Sequence, residues 1–267
     1  MPDLAYVVTT SRRSDPELAA RAVGWAQRLQ VPFVPRAGRS LASLCREEGV
    51  EAALTVTAER VGLVIPSEDV EYFFHPSMAR TRIRNIIDGM SDPMVSAMGL
   101  QAGDSVLDCT LGRATDATVA SWVVGEEGRV VGYEADPLVG ALTISGLQSY
   151  EIEGPGVQEA MRRIDARHGD CREVLPTFPE AGFDVVYFDP FFEQTIGRSQ
   201  AMQPLRRLGV HQPIGEEAYQ EARRVARRCV VVKCRRSDEA LDLPGIERVE
   251  GGGGSRVQYA VLSPTPA

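Results

Sequence analysis

The rhythm of apolar and polar positions changes near residue 104. Before that point short β-branched runs alternate with amphipathic stretches. LAYVVTT (4–10) reads as a strand, and residues 16–29 read as a helix entered through Ser14 or Asp15, with Pro16 and Glu17 in its first turn. VPFVPR (31–36) is a short extended piece, 40–48 a second helix, and ALTVT, GLVIP and VEYFFHP are further strands. Helices are expected over 77–89 and 92–99. From 104 onward the pattern becomes regular. The strands SVLDCT, RVVGYEA, a short one ending near 168–170, FDVVYFDP and CVVVKC alternate with helices at 115–124, 137–150, 156–164, 171–176 and 215–228. Unbroken apolar strands separated by helices imply a parallel sheet covered on both faces. IERVEGGGGSRVQYAVL then places two β-rich runs around four glycines, a hairpin signal, so the last strand should return antiparallel. The expected organisation is α/β: a small N-terminal α/β domain (1–75), a helical connector (76–103) and a doubly wound, mostly parallel domain (104–267).

Composition narrows the classes. With 267 residues, 43% of them hydrophobic, the chain can bury a substantial core without staples. No apolar run reaches the ~18 residues of a membrane span. The first basic residues, Arg12 and Arg13, follow the N-terminal apolar run, the reverse of a secretory signal. Cys45, Cys109, Cys171, Cys229 and Cys234 contain no CxxC pair, which fits reduced cytoplasmic thiols better than a disulfide framework or structural zinc. His75, His168 and His211 lack ligand-like spacing, so no metal is expected. A net charge of −8 does not favour general nucleic-acid affinity, although a local basic patch is compatible with it. All but one of the basic residues are arginines, and the exception is Lys233.

In doubly wound sheets ligands bind at the carboxyl ends of the strands, so the residues there carry the candidate chemistry. The first strand ends at Asp108 and turns through Gly112 into a helix. The next ends at Glu134, close to the spacing at which an acidic side chain meets a ribose diol. The third ends at Asp170, the fourth at Asp189-Pro190-Phe191-Phe192, and the fifth at Lys233. Each residue also has an ordinary reading. Asp108 and Asp189 can form turns, Asp170 can cap the following helix, and Lys233 can snorkel from a strand end. Taken together, acids ending four successive strands would set up repulsion along one sheet edge unless a ligand site requires them. The loop lacks G-x-G-x-x-G, which disfavours a dinucleotide oxidoreductase.

At this point the chain resembles the class I S-adenosylmethionine-dependent methyltransferases, which share the parallel sheet and reversed last strand. DCTLGRATD (108–116), EA (134–135), DC (170–171), VVYFDPFF (185–192) and VVVK (230–233) together look like the bacterial small-subunit ribosomal RNA guanine-N2 methyltransferase J family. GRSQAMQPLRR (197–207) is similar to the basic segment that follows the fourth strand there. Arg113-Ala114 replaces the usual Leu-Gly, and Thr115 stands where an arginine is usual.

The resemblance implies a seven-stranded methyltransferase sheet and S-adenosylmethionine as cofactor, with ribosomal RNA or the small ribosomal subunit as partner. The loop through Asp108, Gly112, Thr115 and Asp116 would approach the cofactor's methionine part. Glu134 and Ala135 would bracket its ribose, Asp170 and Cys171 its adenine. Asp189 would sit between cofactor and substrate nitrogen, with the Pro190 carbonyl orienting the amine and Phe192 stacking on the base. Lys233 would meet a phosphate or the base carbonyl, and Arg206, Arg207, Arg235 and Arg236 would meet RNA phosphates. Two alternatives stay open: a methyltransferase acting on a small molecule or protein, and a non-catalytic RNA-binding relative.

Overall fold

The computed structural model describes residues 4–76, 78–190, 213–235, 239–251 and 257–265. They pack as two units that divide after Phe74. No helix among the described residues is long and apolar enough to cross a membrane.

The first unit is a four-stranded sheet in the order β1 (Tyr6–Thr10), β2 (Ala52–Val56), β3 (Val61–Ile65), β4 (Val70–Phe73). The first pair is parallel and the other two antiparallel. A parallel pair needs a long crossover, and helices α1 (Pro16–Leu29) and α2 (Leu41–Glu48) lie within it. Each helix is started by the residue type that local chemistry demands: Asp15 accepts the Leu18 N–H at 2.7 Å, and Ser40 accepts the Ser43 N–H at 3.0 Å. Val7, Leu44, Cys45 and Ala53 close the core between sheet and helices.

The second unit opens with α3 (Ala79–Ile87) and α4 (Pro93–Met98), the latter capped by Asp92. Its sheet has seven strands, β5 (Ser105–Asp108), β6 (Arg129–Glu134), β7 (Asp165–His168), β8 (Phe183–Phe188), β9 (Ala226–Cys234), β10 (Ile246–Glu250) and β11 (Gln258–Leu262). They lie in the order β10-β11-β9-β8-β5-β6-β7. Only β11 runs antiparallel to its neighbours, because the terminal hairpin inserts its second strand between β9 and β10. The expected mostly parallel seven-stranded sheet with a reversed last strand is therefore present. Helices α5 (Thr115–Val124), α6 (Pro137–Ser149), α7 (Val157–Arg163), α8 (Cys171–Val174) and α9 (Glu216–Val225) connect the strands. Val185, Val186, Tyr187 and Phe188 are fully buried on β8, as are Val230, Val231 and Val232 on β9. Burying each such side chain is worth roughly 1.5–3 kcal/mol.

Two boundaries differ from the pattern-based expectation. The helix expected over 215–228 ends at Val225, and Ala226–Arg228 begin β9. Ala226 pairs with Phe183, while Arg227 and Arg228 form ion pairs with Asp184 and Asp104, both at 2.6 Å. These nonlocal partners draw the arginines out of a helix they would otherwise favour. The helix expected over 171–176 stops at Val174 and tightens into a 3₁₀ turn over 175–177, where Pro176 has no N–H to continue the α ladder.

The sheet order sets where a ligand can sit. After β5 the chain builds β6 and β7 on one side, then crosses to β8 on the other. The crevice at the carboxyl ends of β5 and β8 is therefore the topological switch point.

Candidate active site

The loop leaving β5 is stitched to both neighbouring strands. Cys109 donates its N–H to the Tyr187 carbonyl and Leu111 donates to the Tyr133 carbonyl, each at 2.9 Å. Leu111 lies directly over Gly132 of β6, where an added Cβ would come within 2.4 Å of its side chain. Gly112 turns the loop with φ +51°, and Ala114 takes a left-handed φ of +55° just before α5. A non-glycine residue held there stores strain, a feature that clusters at functional sites.

Glu134 ties this loop to the end of β6. One carboxylate oxygen accepts the Gly112 N–H at 2.8 Å and the other the Asp136 N–H at 2.9 Å. Thr143 of α6 completes the clamp by donating its hydroxyl to the Gly112 carbonyl at 2.6 Å. Burial pushes the Glu134 carboxyl up to about 7, against the pull of both N–H groups. Farther along the edge, Asp170 caps α8 by accepting the Arg172 N–H at 2.9 Å, and it also holds the Arg172 guanidinium. The ordinary reading of Asp170 as a helix cap is thus realised. Cys171 is buried beside it, and the Ala135 carbonyl faces His168 Nε2 at 3.3 Å.

At the other side of the switch point, Asp189 donates its N–H to Thr110 Oγ1 at 2.6 Å. Its Oδ2 accepts from Lys233 Nζ at 2.7 Å, and the same ammonium reaches Asp116 Oδ2 at 3.1 Å. Asp116 also accepts the Tyr187 hydroxyl at 2.8 Å and pairs with the Arg82 guanidinium. Arg82 in turn forks onto Asp92, at 2.8 and 2.9 Å.

Electrostatics divides these carboxylates. Asp108 is 2% exposed and accepts the Thr110 N–H at 3.0 Å. Burial, reinforced by the carboxylates of Asp116, Asp189 and Glu134, pushes it up to about 8. Burial acts on Asp116 in the same sense, but Lys233 and Arg82 together hold it down at about 2. Asp189 stands above the ordinary carboxylate range because burial and the charge of Asp116 outweigh Lys233. Lys233 stays protonated although burial opposes its charge, since Asp116 and Asp189 flank it.

Asp108, Gly112, Asp116, Glu134, Asp189 and Lys233 thus gather at the switch point, with Thr115 opening α5, whereas Asp170 and Cys171 lie at the far side of β6. Phe191, Phe192 and the basic segment 197–207 lie outside the described residues, as do Arg206, Arg207 and Arg236. The strand-end pattern assigns no role to Arg82, Tyr187, Thr110 or Thr143, which the structure ties into this region. Arg80, Arg82 and Arg84 share one short stretch of α3; Arg80 and Arg84 lie on one face, and Arg82 points to the other side of that helix. A charged residue beside the buried Ala79 and Ile83 was the available signal.

A seven-stranded sheet of this order, one strand reversed and carboxylates at successive strand ends, defines a class I S-adenosylmethionine-dependent methyltransferase. The family model for SAM-dependent methyltransferases matches residues 40–248, and the chain belongs to that family. It is 37% identical over 227 residues to the uncharacterized protein YpiP of Bacillus subtilis (strain 168), covering 85% of this chain and 88% of that protein. It is 32% identical to Ribosomal RNA small subunit methyltransferase J of Shewanella amazonensis, over 59% of this chain and 63% of that protein. The protein of the same name from Alteromonas mediterranea is 28% identical over 57% and 59%. The chain therefore spans about six tenths of the length of these two relatives. A SAM-dependent methyltransferase from Neisseria gonorrhoeae superposes over 98% of this chain and 97% of its own, with a TM-score of 0.66 at 19% identity, and so shares the fold.

S-adenosylmethionine is accordingly the cofactor, and the donor set suits it. Asp108 is surrounded by other carboxylates, so a cationic group brought to the loop relieves repulsion there. Glu134 supplies a buried acceptor at the neighbouring strand end.

Proposed function

We propose that this methyltransferase modifies the exocyclic amine of a guanine in ribosomal RNA. The observation that carries the proposal is Asp189-Pro190 at the carboxyl end of β8. There the Asp189 side chain, held by Lys233, keeps 34% exposure beside the Asp108 loop. The relatives named Ribosomal RNA small subunit methyltransferase J support the substrate class.

The loop of Asp108, Gly112 and Thr115 takes the cofactor's methionine end. Glu134 and Ala135 take the ribose, and Asp170 and Cys171 the adenine. When bound, S-adenosylmethionine supplies an already activated methyl group on its sulfonium. The chain's own task is then to orient a weak nucleophile, because the lone pair of an exocyclic guanine amine is delocalised into the ring. Asp189 accepts one amine hydrogen and the Pro190 carbonyl a second, which turns the nitrogen toward the methyl carbon. Such positioning, with a fixed carboxylate near the charge that develops on nitrogen, is a large source of rate in sites of this kind. Phe192 stacks on the base, worth roughly 1–3 kcal/mol. A base in paired RNA is flipped out first, at a few kcal/mol.

Tritium transfer from labelled S-adenosylmethionine to small ribosomal subunits tests this reading. Label is expected in the ribosomal RNA, and Asp189→Ala is expected to abolish it. Label confined to protein or small molecules would overturn the RNA assignment.

A further inference from the structure

We propose that Asp116 is an internal counter-ion which, with Arg82 and Lys233, positions Asp189, and that it does not contact the cofactor. The inference rests on Asp189 being the acceptor of the proposed reaction. Five side chains of alternating sign run through the second unit: Asp92, Arg82, Asp116, Lys233 and Asp189. They come from the start of α4, from α3, from the first turn of α5, from β9 and from the end of β8. The sequence likeness alone would assign Asp116 to the cofactor's methionine end, as part of the loop 108–116. The geometry assigns its oxygens elsewhere. Oδ1 takes Arg82, while Oδ2 takes the Tyr187 hydroxyl and the Lys233 ammonium. With three donors and 11% side-chain exposure, Asp116 has little left to offer a ligand. Asp189 is the opposite case, with 34% exposure and Oδ2 on Lys233.

Residue types follow the geometry. Arg82 must hold Asp92 with two parallel N–H donors and still reach Asp116, which requires a planar fork. Lys233 must stand between two carboxylates, for which a compact ammonium with three donors is suited. Removing Lys233 leaves Asp189 facing Asp116 without a cation between them. Removing the charge of Asp116 leaves Lys233 to Asp189 alone. The two changes therefore act on Asp189 in opposite directions, an effect that a purely structural role would not produce.

Two measurements on the full-length chain test this. Calorimetry with S-adenosylhomocysteine is expected to give a dissociation constant for Asp116→Asn within about threefold of the parent. Transfer to small ribosomal subunits should meanwhile fall by at least about tenfold. A larger loss of cofactor affinity overturns the counter-ion assignment. Arg82→Lys keeps the charge and loses the fork to Asp92, and it gives the same two readouts if Asp116→Asn does not fold. Carbon-13 carboxyl NMR of aspartate-labelled protein reads Asp189 directly, its signal assigned by Asp189→Asn. The groups facing it are Lys233, Asp116, Asp108, Arg82 and Tyr187, with Tyr259 beyond Lys233. Its titration midpoint should rise in Lys233→Met and fall in Asp116→Asn. Shifts in the same direction, or none, overturn the proposal. Parent protein that binds cofactor but labels no ribosomal subunit counts against the proposed substrate, and leaves the binding and NMR readouts to decide the role of Asp116.

Discussion

Asp108 and Asp116 bracket one loop, both are buried, and their electrostatics are opposite. Asp108 ends β5 among other carboxylates and is pushed up to about 8 by burial and by their charge. Asp116 opens α5 between Arg82 and Lys233, and although burial opposes ionisation it is held down at about 2. Burial alone therefore does not decide the charge of a carboxyl group. The decision lies with which partner the fold delivers, because desolvation and a nearby cation act in opposite senses. One acid has protein cations beside it, and the other has carboxylates around it.

The sharpest way to break this contrast is to remove the cation. Arg82→Met leaves Asp92 without its guanidinium and Asp116 with Lys233 as its cation, and losing one partner of a buried pair costs roughly 3–5 kcal/mol. Urea unfolding at pH 7 should show that loss, whereas a change below ~1 kcal/mol would mean the pair is solvated. Asp108→Asn comes next. It should raise stability at pH 7, where the folded state keeps a proton that the unfolded chain has released, yet weaken S-adenosylmethionine binding about tenfold by removing a carboxylate that a cation can recruit. Calorimetry distinguishes the two outcomes.

The pH dependence separates the acids further. With its carboxyl raised to about 8, the folded state holds a proton on Asp108 that the unfolded chain has released, so this group's contribution to stability declines between pH ~4 and 8. With Asp116 lowered to about 2, its contribution is present above pH ~4 and is lost as pH falls toward 2. Comparing unfolding of the Asp108→Asn and Asp116→Asn variants across pH 3–8 should flatten the alkaline and acid sides respectively. The same reasoning predicts proton release when the cofactor binds near pH 7, read as a buffer-dependent binding enthalpy. The smallest effect is expected for Thr143→Val, which deletes one hydrogen bond to the Gly112 carbonyl and should cost about 1 kcal/mol of stability.

Much of the architecture was readable from local signals. Apolar runs marked β5, β6, β8 and β9, and Ser14 or Asp15 marked the start of α1, where Asp15 supplies the side-chain acceptor that a free N–H group requires. The strand-end acids Asp108, Glu134 and Asp189 were legible because β strands end where apolar alternation stops. The start of β9 was misread, since Ala226–Arg228 have helical neighbours and are claimed by pairing with Phe183, Asp184 and Asp104 far away in the chain. Arg82 carries no assigned role in the sequence for a related reason: its place beside the buried Ala79 and Ile83 sets it apart from Arg80 and Arg84, but its partner Asp116 is far away in the chain.

By itself, then, the sequence determined the elements, their alternation and the row of acids at the sheet edge, because these follow from short-range periodicity and turn chemistry. Only the tertiary structure decided which acid receives a cation. Arg82 and Lys233 lie 34 and 117 residues from Asp116 along the chain, and they meet it only when α3, α5 and β9 pack together. Charge pairing in a buried site depends on distances of a few ångströms, and those are set by packing.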